Sequence, residues 1–212
     1  MKKAIATLAM ALAWAGAGPA QANTVSGNLW HVPEATAQNA VPANIPAAIP
    51  DVVFDIDSPL NFGTVDSGRN STVGAWLGNA GASHIVENTP GTLDSPMDNG
   101  AQGTLLEFSG VVTVATGQTF TITHDDGVTL FIDGQDMGLS SGPTAPVTST
   151  ETYTGPSGTF PFQLVYGECC GGEAVLQVSL PFASAVPEPE TYALFMAGLG
   201  LMGFLARRRK AA

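Results

Sequence analysis

Cationic side chains are nearly missing from the body of this chain. Its 212 residues hold eighteen Asp and Glu against seven Lys and Arg. Six of those bases sit at the two ends: Lys2 and Lys3, then Arg207, Arg208, Arg209 and Lys210. Without them, and without Glu188 and Glu190, Arg69 alone faces sixteen carboxylates, a net charge near −15 (1 − 16). Such a body has no cationic surface with which to release phosphate counterions, which excludes a nucleic-acid partner. Solubility accounts for most of the acidity. The same acidity is compatible with calcium, a hard cation that takes carboxylate and carbonyl oxygens.

Cysteine is as scarce: there are two, Cys169 and Cys170, and they are adjacent. Adjacent cysteines cannot staple distant strands, so there is no disulfide framework. They can close a vicinal ring, stay as thiols, or pair between chains. Zinc held by both together with His124 is disfavoured, because zinc sites leave at least two residues between their cysteines. Convincing amphipathic helices are missing between the two ends, as is an internal repeat. No Ser-His-Asp order sits in a nucleophile-elbow context. Glu168 and Glu173 fall within one short loop, which fits solvation better than a glycosidase pair. The expectation is a protein that is not an enzyme.

What is present begins with two segregated ends. Lys2 and Lys3, the apolar run Ala4 to Ala17, and Ala20-Gln21-Ala22 after Pro19 make a signal peptide over residues 1–22. The C-terminus has Pro187-Glu188-Pro189, an apolar run at 192–206, and a basic cluster from Arg207 to Lys210. A helix over that run would rise roughly 22 Å, short of a hydrocarbon core of about 30 Å. The basic cluster would hold its end on the cytoplasmic side. Motif, short span and arginines together resemble the PEP-CTERM sorting signal of Gram-negative, exopolysaccharide-producing bacteria. The resemblance implies a tail at 184–212 read by an exosortase and cut near Pro187-Glu188-Pro189, with Arg207, Arg208 and Arg209 completing the signal. It also implies transient anchoring in the inner membrane and a final place on the cell surface or outside the cell.

Between the ends, Asn23 to Pro50 reads as an extended lead-in segment with an edge strand near Leu29 to Val32, since it is rich in Pro, Ala and Asn. From residue 51 to 183 the texture is that of an all-β domain: short apolar or alternating runs between Gly, Asn, Asp, Ser and Pro clusters. Strands are expected at Thr104–Ala115, Gln118–His124, Val128–Ile132, Val147–Thr154, Thr159–Tyr166 and Ala174–Leu180. Asn79 to Gly100 is expected to be a long loop.

His124-Asp125-Asp126-Gly127 is the motif with the most chemistry in it. Adjacent carboxylates repel, and a cation between them relieves the repulsion. Asp and Gly are also ordinary turn formers, so a plain hairpin explains the motif as well. Gly127 lets the backbone reverse, and strand alternation sends His124 to the face opposite Asp125.

The stretch Gly117 to Gly134 (GQTFTITHDDGVTLFIDG) and the later Phe162 to Leu180 (FQLVYGECCGGEAVLQVSL) resemble the domain named after the anthrax-toxin protective antigen, found in adhesins, lectins and glycosidases. The resemblance implies an antiparallel, jelly-roll-like β-sandwich. It also implies that Asp125 and Asp126, joined by a cis peptide, bind calcium, which in turn coordinates sugar hydroxyls. The late loop, Glu168, Cys169, Cys170, Gly171, Gly172 and Glu173, would lie beside them and, with His124 and Gly127, complete the ligand-binding set. The expected function is an exported, non-catalytic cell-envelope or extracellular-matrix protein. It would bind carbohydrate or adhere with the help of calcium in an exopolysaccharide or biofilm setting. The alternative is a purely structural matrix protein on the same scaffold. Mass spectrometry of the exported protein should find Asn23 at its N-terminus; a retained 1–22 segment would contradict the leader.

Overall fold

The computed structural model describes residues 24–63, 72–172, 174–180 and 182. The expected signal peptide at 1–22, Arg69, Glu173, the Pro187-Glu188-Pro189 motif, the run 192–206 and the terminal bases lie outside the described residues. No helix among the described residues is long and apolar enough to cross a membrane.

The fold is an antiparallel β-sandwich, as the punctuated strand pattern implied. Its larger sheet is built from β1 (Thr24–Pro33), β2 (Val52–Asp57), β4 (Ser83–Glu87), β5 (Gln102–Val114), β7 (Gly127–Ile132), β8 (Gln135–Asp136) and β10 (Gly158–Glu168), in the order β4-β2-β1-β5-β10-β7-β8. The smaller sheet is β3 (Leu60–Phe62), β11 (Val175–Val178), β6 (Thr119–Asp125) and β9 (Val147–Thr152), in the order β3-β11-β6-β9. Alternation sets the faces. On β6, Phe120 and Ile122 are buried while Thr119 and Thr121 are exposed. Edge strand β9 is polar and mostly exposed, which guards against pairing with another chain. Asp133 and Gly134 both take positive φ, 52° and 76°, and close the β7–β8 hairpin as an Asp-Gly pair should.

Three sequence expectations need correction. The lead-in segment is not peripheral. Its strand β1 lies inside the larger sheet, paired with β2 on one side and β5 on the other. The strand reads poorly because it is apolar on both faces. Val25 and Leu29 enter the sandwich core, while Trp30 and Val32 join Leu105 and Val165 in a second apolar layer. That layer is covered by helix α1 (Glu34–Ala37) and the residues after it, with Ala37 and Ala40 fully buried. The region read as a long loop contains β4 and follows a short helix, α2 (Val73–Asn79), capped by Thr72, whose hydroxyl accepts from the Ala75 amide at 3.1 Å.

The third correction matters most for the site. Neither motif-bearing segment is a hairpin. β6 belongs to the smaller sheet and β7 to the larger, so the chain crosses the sandwich at Asp125-Asp126. β10 and β11 are likewise in different sheets, and the chain crosses again through Cys169 to Ala174. The crossings are neighbours because β7 pairs with β10 and β6 with β11: Gly127 stands opposite Gly167 and Asp125 opposite Val175. Two stacked arches therefore form one end of the sandwich.

An aromatic stack spans the core behind them. The Trp76 ring of α2 lies 4.0 Å from that of Phe62 on β3 and 5.9 Å from that of Tyr166 on β10, nearly parallel to both. Its indole N–H donates to the Ala174 carbonyl at 3.0 Å, tying the helix to the second arch. Trp76→Ala should cost about 3–5 kcal/mol, the usual penalty for emptying a buried aromatic site. Chemical denaturation measures it; a loss under about 1 kcal/mol would mean that the stack is not part of the core's support.

Candidate functional site

Asp125 and Asp126 are joined by a cis peptide bond at the first arch. Both side chains are buried, with relative exposures of 5% and 4%, yet both line an open cleft of about 490 Å³. The opposite walls are Pro143 to Pro146 and Cys170 to Gly172. The Asp126 carboxylate joins these walls: Oδ1 accepts from the Thr144 amide at 3.0 Å and Oδ2 from the Cys169 amide at 2.9 Å. Gly172 places no side chain before Asp125, whose Oδ2 would lie 3.6 Å from a Cβ there. The sequence reading that the Asp pair and the late loop meet is thus correct, and the cis peptide lies where the resemblance put it.

The remaining sequence-named residues take different places. His124 faces the core with 1% exposure, and its Nδ1 donates to the Asp126 carbonyl, which leaves Nε2 buried without a partner among the described residues. It buttresses the arch and is not among the cleft-lining residues, because alternation on β6 turns it inward beside Ile122. Gly127 is a packing requirement, not a ligand contact: a Cβ there would come within 2.0 Å of the Ser141 carbonyl oxygen. Gly167 opposite it serves the same purpose, since a Cβ would meet the Ala37 carbonyl at 2.2 Å. Cys169 is buried and Cys170 exposed, with Cys170 alone of the two reaching the cleft. Glu173 lies outside the described residues.

Glu168 lies behind the cleft, at 1% exposure. Its Oε2 is 2.7 Å from the Tyr166 hydroxyl, which also contacts the Asp125 carbonyl. One hydroxyl proton can serve only one of these acceptors. Both bonds close when Glu168 carries its own proton and donates to Tyr166, while Tyr166 donates to Asp125. The electrostatics agree. Burial, then the charges of Asp126, Asp125 and Asp98, push Glu168 up from 4.5 to about 9, against the opposing effect of the Tyr166 hydrogen bond. Burial first, and then the Glu168 charge, also hold Tyr166 well above the usual phenol range. Burial, the Cys170 hydrogen bond and the Asp126 charge push the Cys169 thiol up.

Sequence reasoning missed several neighbours. Glu34 of α1 accepts from the Cys170 amide at 3.1 Å, and Gln38 Nε2 donates to Cys170 Sγ at 3.4 Å. Both come from the segment read as an extended lead-in, and no local pattern joins them to a loop more than 130 residues away. Pro143 and Pro146 could have been noticed as a stiffened loop. Their place beside Asp126 depends on β6 and β9 pairing, which puts Val147 opposite His124.

Residues 185–210 match the PEP-CTERM protein-sorting motif, which marks the chain as an exported protein with a C-terminal sorting signal. No curated protein sequence matches the chain. Two solved structures share its fold. One is the PA14 domain of the antifreeze protein MpAFP, at 16% identity and a TM-score of 0.53, covering 81% of this chain and 87% of that one. The other is a PA14 sugar-binding domain from an RTX adhesin, at 19% identity and a TM-score of 0.54, covering 74% and 89%. The sandwich therefore has the same fold as these two PA14 domains.

The Glu168 shift makes a pH prediction. Its folded pKa is raised, so the native chain holds a proton that the unfolded chain gives up. The stability it contributes is complete below about pH 4.5 and is lost as pH rises through about 9. In calcium-free buffer the melting temperature should fall across that window. Glu168→Gln, which keeps a donor toward Tyr166, should flatten the slope. Equal slopes in the two proteins would show that Glu168 is ionised in the fold.

Proposed function

We propose that this exported protein is a non-catalytic carbohydrate-binding component of the cell envelope or extracellular matrix, and that it binds at the Asp125–Asp126 cleft with the help of calcium. The observation that carries the reading is the state of that carboxylate pair. Two buried, adjacent aspartates open on a cleft, and no Lys or Arg occurs among the described residues. Two backbone amides meet the Asp126 carboxylate, and an amide carries no full positive charge.

The donor set fits a hard cation. Asp125 and Asp126 supply carboxylate oxygens, and the glycines at 171 and 172 leave backbone carbonyls as the further oxygens of the loop. Calcium, when bound, supplies a positive charge on which sugar hydroxyls can sit. The chain's own residues do the rest. Asp126 fixes both cleft walls through Thr144 and Cys169, His124 and Tyr166 hold the arch carbonyls, and burial keeps a proton on Glu168 behind the cleft. The wall side chains are prolines, a threonine, an alanine and a thiol, a surface suited to holding a ligand and not to transferring a proton.

The likeness to a PA14 sugar-binding domain supports a glycan as ligand, and the sorting tail supports an exopolysaccharide as its source. Processing by an exosortase near Pro187-Glu188-Pro189, after transient anchoring through residues 192–206, belongs to the same proposal. Extracellular calcium modules work at roughly 0.1–1 mM. A tenfold excess over the dissociation constant stabilises by about 1.4 kcal/mol, which raises the melting temperature of a domain this size by about 3–5 °C. Millimolar calcium should give that rise and chelator should reverse it. Asp126→Asn, which keeps one acceptor for the loop amides, should abolish it without loss of the β-sheet spectrum. If wild type and variant melt alike with and without calcium, the protein is a structural matrix component on the same scaffold.

A further inference from the structure

The thiols beside Asp126 take no part in the calcium reading. Side chains of adjacent residues in a strand point to opposite faces, so a Cys-Cys pair inside β10 would diverge. β10 ends at Glu168, and Cys170 takes a φ of 66°, in the left-handed region that non-glycine residues seldom adopt. That turn folds the second side chain back on the first and brings the sulfurs 2.6 Å apart, closer than van der Waals contact. One oxygen of Asp126 joins them: donor atoms of Asp126, Cys169 and Cys170 all lie within 4.8 Å of one another. The exposed Cys170 opens this trio to the cleft.

We propose that Asp126, Cys169 and Cys170 form a second cation site in the cleft, selective for a thiophilic divalent ion of the zinc or cadmium class. Two sulfurs and one carboxylate oxygen are a soft to borderline donor set, poorly suited to calcium. Binding replaces two S–H bonds by two S–metal bonds and releases two protons to solvent. Metal–sulfur bonds of about 2.3 Å at a tetrahedral angle need sulfurs about 3.8 Å apart. Rotation of the exposed Cys170 side chain supplies that room. The supporting contacts are in place: the Thr144 and Cys169 amides hold the carboxylate, Gln38 Nε2 donates to Cys170 Sγ, and Glu34 fixes the Cys170 amide. Solvent or a ligand donor completes the shell on the cleft side. The usual objection to adjacent cysteines, that they cannot reach one ion, is removed by the turn at Cys170.

The test is cadmium titration of the purified protein, kept reduced with a phosphine and followed by the ultraviolet sulfur-to-cadmium charge-transfer band. One cadmium per chain should bind, with two protons released. Zinc should bleach the band, and a millimolar excess of calcium should leave it in place. Cys170→Ser, at an exposed position that leaves the core untouched, should remove the band, and Asp126→Asn should weaken binding by about tenfold or more. No band with the reduced protein, or an undiminished band in Cys170→Ser, would overturn the site. Cys170→Ser leaves Asp125 and Asp126 in place, so its loss of the band with calcium-dependent melting retained separates this site from the calcium reading.

Discussion

The hydroxyl of Tyr166 is the point at which the core and the cleft depend on each other. Its ring belongs to the aromatic stack with Trp76, which packs in turn on Phe62 of the opposite sheet. Its oxygen meets both the Asp125 carbonyl and the Glu168 carboxyl. The hydrogen-bond count requires a proton on Glu168, and that proton keeps a charge from being buried beside the two aspartates. Were Glu168 ionised, one of the two bonds would be lost and a charge would be buried with no basic side chain among the described residues. The floor of the cleft is thus built by hydrophobic packing that fixes Tyr166, and by a neutral acid that this packing desolvates.

The larger consequence is a division of labour among carboxyl groups of similar chemistry. Asp126 remains an acceptor because two amides point at it. Glu168 is neutral because burial dominates its surroundings. Glu34 sits outside, receiving the Cys170 amide. Environment, not residue type, decides which of them can serve a cation. The two stacked crossings supply these environments, because each arch brings one loop across the sandwich to the same end.

The scaffold around the arches rests on tight backbone approaches. Gly127 and Gly167 face each other across β7 and β10, and each admits a different segment: the Ser141 carbonyl on one side, the Ala37 carbonyl on the other. The segment after β1 lies over the second apolar layer of Trp30, Leu105 and Val165, and from there reaches the cysteine loop. A stretch that begins more than 90 residues before the Asp pair therefore helps to frame the cleft.

The sequence by itself determined the class of fold, most strand positions, the C-terminal sorting signal, and the identity of the paired aspartates. These are local properties: period-two burial, turn chemistry at Asp133-Gly134, a motif-apolar-basic order at the tail, and a motif of adjacent residues. It also placed the late loop near the Asp pair through resemblance. Tertiary structure alone decided that both motifs are crossings and not hairpins, that β1 is an interior strand, and that His124 and Gly127 support the arch instead of lining it. It alone recruited Glu34, Gln38 and Thr144, and it alone left Glu168 neutral. The reason is that sheet membership, burial and close approach depend on which distant strands pair. A strand apolar on both faces, or a glutamate at a strand end, reads the same in sequence whether it lies at an edge in water or inside the sandwich.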